Sequence, residues 1–186
     1  RSFDPIAWAQ ENGLDVIVTD HHLSDPERGI PAAAAVVNPN QAGCEYPDKQ
    51  LAGVGVALKL AQALIGDGGH PEQMNEFLEI AAIGTVADVM KLTGENRSIV
   101  SLGLRQLTRT RNHGLRALME ISDCTAEMTS LHIGFRIAPR INAAGRMDVA
   151  RHVVELLEST EPASARRFAG LLDSRNRERQ KMQQEI

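Results

Sequence analysis

Residues 14–22 read L-D-V-I-V-T-D-H-H, and the fold follows from how that stretch is understood. Its first six residues are short, β-branched and almost continuously apolar, which predicts a buried parallel strand in preference to a half-exposed antiparallel one. The strand runs directly into Asp20, His21 and His22. The carboxyl end of a strand is where ligands gather in open α/β sheets. Upstream, residues 4–12 carry a helical pattern closed by Gly13, a residue that accepts the left-handed conformation after a helix. Downstream, residues 34–38 form a second β-type run, bounded by Pro31 and by the turn signal Asn38-Pro39-Asn40.

Helix takes over the remainder. The patterning predicts helices over residues 52–65, 72–85, 96–108, 115–121, 149–159 and 163–184, with residues 87–90 at or beyond the end of the second. A helix, a strand, a crossover, a second strand and then a helical cluster describe the later part of an α/β domain with an all-helical extension. No repeat, low-complexity tract or Pro/Gly/Ser-rich linker divides the chain. The last predicted helix crowds Arg166, Arg167, Arg175, Arg177, Arg179 and Lys181 into a run with few apolar residues beyond Leu172. Such a helix is solvated or bridges domains.

The 186 residues are enough for one packed domain, which at this size buries roughly two thirds of its unfolded surface. With 42% hydrophobic and 24% charged residues, no apolar run long enough to cross a bilayer and no signal-peptide pattern, the chain reads as cytoplasmic with no membrane partner. Cys44 and Cys124 are far apart and form no CxxC pair, so neither a disulfide framework nor a structural zinc site is indicated. A formal net charge of -4 argues against a globally basic nucleic-acid binder, but a local cationic stripe still binds phosphate on an acidic protein. One Trp, one Tyr and four Phe are too few for an aromatic platform on which bases stack. Neither a P-loop nor a GxGxxG fingerprint is present. Gly53 and Gly55 are better explained as a helix start packed tightly on the sheet.

Three constellations could carry chemistry. Asp20, His21 and His22 combine carboxylate with imidazole, the donor set of a borderline divalent ion such as manganese or zinc. The competing explanation is a capped turn with two satisfied histidines. Asp88 stands in I-G-T-V-A-D-V-M, an acid in apolar company where an unpaired charge is costly to bury and a metal would compensate it. A solvated helix-end carboxylate explains it equally simply. Residues 134–146, G-F-R-I-A-P-R-I-N-A-A-G-R, set Arg136, Arg140, Asn142 and Arg146 among small residues, as planar guanidinium forks that grip phosphate or as arginines on an exposed loop.

In order and spacing, V-I-V-T-D-H-H at 16–22, V-V-N-P at 36–39, L-A-G-V-G-V-A-L-K-L at 51–60, G-T-V-A-D-V at 84–89, G-E-N-R at 94–97 and I-G-F-R-I-A-P-R-I-N-A-A-G-R-M at 133–147 resemble the RecJ family of the DHH phosphoesterase superfamily. The resemblance implies a phosphodiesterase that degrades single-stranded DNA from its 5′ end with two divalent ions, manganese or magnesium, in repair and recombination. Carried over by position, His21 and Asp88 would ligate metal and His22 would lie beside the scissile phosphate. Asp20 would orient the histidines, and Arg140, Asn142 and Arg146 would hold DNA phosphate, with Arg140 the foremost grip.

The family's two further acidic motifs, upstream of D-H-H, are absent, as is its downstream substrate-binding domain. The resemblance therefore implies an internal piece of a longer parent: residues 1–162 as a partial catalytic domain, residues 163–186 as the start of a connector helix, and no complete two-ion site or activity in this chain alone. Met90-Lys91 stands where the family often has an apolar residue and proline, a change confined to the loop after Asp88. Two alternatives stay open: a DHH phosphoesterase acting on short oligonucleotides, cyclic dinucleotides or pyrophosphate, and a scaffold relative that has lost catalysis.

Overall fold

The chain was analysed as a computed structural model that describes residues 3–66, 71–124, 127–144 and 150–185. Helix α1 (Phe3–Glu11) leads into strands β1 (Ile17–Thr19) and β2 (Ala35–Val37), which pair in parallel with Ile17 opposite Ala35, Val18 opposite Val36 and Thr19 opposite Val37. Then come α2 (Gly53–Ile65), α3 (Pro71–Ala87), α4 (Gly94–Leu107) and α5 (His113–Ile121). A continuous segment follows of α6 (Ser130–His132), a π-helical turn (Ile133–Ile137) and α7 (Ala138–Ala144), before α8 (Ala150–Leu157) and α9 (Pro162–Gln184). The predicted α/β class, with a partial parallel sheet followed by a helical cluster, is what the chain adopts.

The first strand departs from expectation in length and in burial. Gly13, at φ +74°, closes α1 with hydrogen bonds from the Gly13 amide to the Gln10 carbonyl (3.0 Å) and from the Leu14 amide to the Ala9 carbonyl (2.9 Å). This is the Schellman arrangement, in which the two residues after the helix satisfy its last carbonyls. Leu14 is thereby committed to the helix and not to the ladder. The strand is also not buried: Ile17 remains 58% exposed, because among the described residues the sheet has only these two strands and neither face is fully covered.

Two apolar clusters hold the helices together. Leu51, Val56, Leu58, Ala81 and Ile99 join α2, α3 and α4 beneath β2, with Val37 and Tyr46 packed against them. A larger cluster includes Ile83, Leu107, Leu118, Ile133, Ile137, Leu156, Phe168 and Leu172. Helix α3 serves both clusters and lies closest to α4. At their crossing a Cβ on Gly103 would sit 2.4 Å from the Leu78 carbonyl oxygen and from Ala82 Cβ, so only glycine permits this approach.

For residues 134–146 the sequence leaves open a phosphate grip or an exposed loop; their described part, 134–144, is helical throughout and belongs to a segment that begins at Ser130. Thr129 caps the segment, its hydroxyl accepting from the His132 amide while His132 Nδ1 accepts from the Thr129 amide, both at 3.3 Å. Pro139 argues against a helix because it lacks an amide and crowds the carbonyl four residues back. The widened π turn just before it, with the Ala138 amide bonded to the Ile133 carbonyl, carries the helix past the proline. Helix α9 begins at Pro162 and buries Ala165, Phe168, Ala169, Leu172, Asp173 and Asn176 against the larger cluster, so its inner half is a core helix, while residues 180–185 are exposed.

Candidate metal centre

Strand β1 is extended by one further bond, from the Asp20 amide to the Val37 carbonyl at 3.1 Å. Beyond it the chain turns around the Asp20 carboxylate. Asp20 Oδ1 accepts from the backbone amides of His21 (2.7 Å) and His22 (3.1 Å), and His22 Nδ1 lies 2.7 Å from the same oxygen. Burial works against the charged form of Asp20, but these bonds from the His22 ring and the two amides outweigh it and hold the carboxyl below its ordinary range. An ionised Asp20 thus fixes the His22 ring through Nδ1.

His21 is turned inward. Its side chain is 15% exposed, and its Nε2 lies 3.4 Å from Asp88 Oδ2. Two residues that are far apart in sequence, one from the end of β1 and one from the end of α3, are therefore brought close enough for their ligand atoms to share one ion. Asp20, His21 and His22 also each offer a ligand atom within 4.8 Å of the others. The imidazole–carboxylate composition and this spacing fit a divalent ion of the manganese, magnesium or zinc kind.

The backbone around Asp88 is strained. Helix α3 closes in a Schellman arrangement, with the Met90 amide on the Thr85 carbonyl (3.3 Å) and the Val89 amide on the Val86 carbonyl (3.1 Å). The left-handed position belongs to Val89, at φ +55° and with 89% of its surface exposed. A β-branched residue there is a conformational outlier that glycine would avoid. On the other side of His21, a Cβ on Gly53 would stand 3.3 Å from the imidazole Cδ2. The close approach expected of Gly53 is thus made to a histidine ring at the start of α2.

The four predicted phosphate-binding residues are not equivalent. Arg146 lies outside the described residues. Arg140 is turned into the protein, its Nε and a terminal nitrogen 2.9 and 2.8 Å from Asp173 Oδ1, and it also donates to the Arg136 carbonyl at 2.6 Å. Arg136 is exposed and donates to the Asp123 carbonyl at 2.8 Å. Asn142 lines a groove of about 820 Å³ together with Val86, Ala87, Val89 and Met90, the residues flanking Asp88. The groove's other wall carries Arg175 and Arg179 of α9, which the sequence presents only as part of a polar helix. Asn38 and Asn40, legible in the sequence only as turn residues, hold the backbone of the histidine pair: Asn38 Nδ2 donates to the His22 carbonyl at 2.9 Å and Asn40 Nδ2 to the His21 carbonyl at 2.7 Å.

The family model described as "DHH family, N-terminal domain" matches residues 1–85. The chain is 49% identical over 175 residues to the single-stranded-DNA-specific exonuclease RecJ of Bacillus subtilis, covering 94% of this chain and 21% of that protein. It is 39% identical over 191 residues to the exonuclease of the same name from Escherichia coli, covering 96% of this chain and 33% of that one. A crystal structure of exonuclease RecJ bound to manganese superposes with a TM-score of 0.85 at 36% identity over 99% of this chain and 46% of its own. RecJ from Thermus thermophilus in complex with Mn2+ gives 0.84 at 35% identity, over the whole of this chain and 28% of that one. The chain thus spans a fifth to a third of the length of the curated relatives named here.

Proposed function

Since the chain belongs to the DHH family and groups within it with the RecJ exonucleases, we propose that it forms part of the catalytic core of a 5′-to-3′ single-stranded-DNA exonuclease acting in repair and recombination in the cytoplasm. The observation that carries this reading is the pairing of His21 with Asp88 at 3.4 Å, beside the Asp20–His22 pair. A partly buried imidazole and a half-exposed carboxylate from two separate elements are placed where one cation can be held between them.

In this reading His21 and Asp88 hold a divalent ion, and the relatives' manganese and magnesium complexes support those two metals. When bound, a pair of such ions activates a water and stabilises the attacking and leaving oxygens of the displaced phosphodiester. The chain's own residues do the positioning. Asp20, kept ionised, holds the His22 ring through Nδ1 and leaves Nε2 turned outward toward the scissile phosphate. Arg140, Asn142, Arg136 and Arg146 meet the phosphates of the strand, with Arg140 steadied by its ion pair with Asp173. Residues 1–162 are assigned as a partial catalytic domain, and residues 163–186 as the start of a connector helix whose exposed outer half leads away from the core.

The test is manganese-dependent degradation of a 5′-phosphorylated single strand by the intact protein and by its His21→Ala and Asp88→Asn variants. Activity lost in both variants with the fold retained is the expected result. Undiminished activity in His21→Ala would remove the metal assignment, and an intact protein without nuclease activity would remove the function.

A further inference from the structure

The Asn38-Pro39-Asn40 turn lies beside the histidine pair without contributing a ligand. Asn38 is a buried polar residue, 6% exposed. Its amide nitrogen donates to the His22 carbonyl at 2.9 Å, and its side-chain oxygen accepts the Asn40 amide at 2.9 Å. Asn40 in turn donates from Nδ2 to the His21 carbonyl (2.7 Å) and to the Lys49 carbonyl (3.2 Å). Both carbonyls of the histidine pair are therefore held by carboxamides of one turn, and the Asn38 carboxamide also holds the Asn40 backbone amide.

The turn is itself anchored. Lys49 Nζ donates to the Pro39 and Cys44 carbonyls, each at 2.6 Å, and Gln41 Nε2 donates to the Val36 carbonyl at 3.0 Å. Asp48 accepts the Glu95 amide at 2.8 Å, tying the same loop to the first turn of α4. The histidines leave β1 without any regular backbone partner of their own, since the ladder ends at the Asp20 amide. Asp20 holds the two amides and the asparagines hold the two carbonyls, so loss of a carboxamide releases one side of a histidine's backbone and lets its imidazole shift.

We infer that Asn38 and Asn40 are positioning residues for the metal centre, a pair of side-chain clamps that set the peptide planes of His22 and His21 and so aim both rings. This inference rests on the metal-site reading above. Isosteric replacement separates clamping from packing: Asn38→Asp and Asn40→Asp keep the side-chain shape but replace the donor with an acceptor facing a carbonyl. Removing a partner that orients a metal ligand costs about 10–100-fold in metal affinity.

The experiment compares wild type, both Asp variants and Asn40→Ala by two measurements. The first is ¹⁵N correlation of the histidine rings and backbone in the metal-free protein; the second is Mn2+ affinity by electron paramagnetic resonance. The clamp predicts multiple or broadened His21 and His22 signals in the variants, unchanged signals from α4 and α5, and Mn2+ affinity lowered about tenfold or more. His21 and His22 signals that superpose on wild type overturn the clamp whatever the metal does. A wild-type protein that binds no Mn2+ while the variants still disturb the rings sinks the metal reading and leaves the clamp standing as a conformational device only.

Discussion

Arg140, expected from the resemblance to hold phosphate, forms an ion pair with Asp173 that makes a quantitative prediction. The Asp173 side chain is 6% exposed and that of Arg140 17%. Two guanidinium nitrogens of Arg140 reach one carboxylate oxygen, and Arg177, 71% exposed, reaches the other at 2.8 Å. Removing one member of a buried pair leaves an uncompensated charge and costs about 3–5 kcal/mol. The exposed Arg177 contact adds at most about 1 kcal/mol.

Asp173→Ala should therefore destabilise the protein by about 3–5 kcal/mol, and with a urea slope of about 2 kcal/mol/M the midpoint should fall by about 1.5–2.5 M. Arg140→Ala should fall in the same range. The double variant should cost less than the sum, with a coupling of about 1–3 kcal/mol. Arg140→Lys should not rescue, because an ammonium cannot reproduce the two-nitrogen fork. Urea unfolding of wild type and the four variants measures all of this. Single substitutions costing under about 0.5 kcal/mol and adding independently would mean that the guanidinium is not committed to Asp173 in solution.

Three further outcomes follow from particular residues. Val89→Gly relieves the left-handed backbone and should raise stability by about 1 kcal/mol, or about 2–4 °C in melting temperature; calorimetry showing a lower melting temperature would mean the exposed valine packs in solution. Gly103→Ala drives a methyl into the Leu78 carbonyl and Ala82, and should cost about 1–3 kcal/mol by thermal unfolding. Glu95 is raised by burial but lowered further by its bonds to Lys59 and Tyr46, so its folded value lies below its unfolded one. Its contribution is present above the unfolded value and is lost as pH falls through the folded one, so Glu95→Gln should lower stability on the alkaline side of the acid limb, leave the acid end unchanged and so flatten the limb. An unchanged acid limb would count against that linkage.

The chemical alphabet of the centre was legible in one dimension. D-H-H at the end of an apolar run, an aspartate in apolar company and the ordered series of motifs named the family and the class of fold, because residue type and local period depend on neighbours along the chain. Helix positions followed the same local rule, to within a few residues at their ends. What the chain does with residues 130–144 did not follow from it: Pro139 and the closely spaced arginines point locally to a loop. The apolar side chains of Ile133 and Ile137, buried against α3 and α9, together with a π turn, make it helical.

Only tertiary structure could join His21 to Asp88, since no local period relates the end of β1 to the end of α3. It also decided which arginine faces inward, because Asp173 lies on a helix 33 residues downstream of Arg140. The roles of Asn38 and Asn40 were hidden for the same reason: in sequence they mark a turn, and only parallel pairing of β2 with β1 brings that turn against the histidines. Sequence determined which donors and acceptors exist and how each segment prefers to fold. Long-range packing determined which of them meet, because the free energy that selects partners comes from burying surfaces remote in the chain.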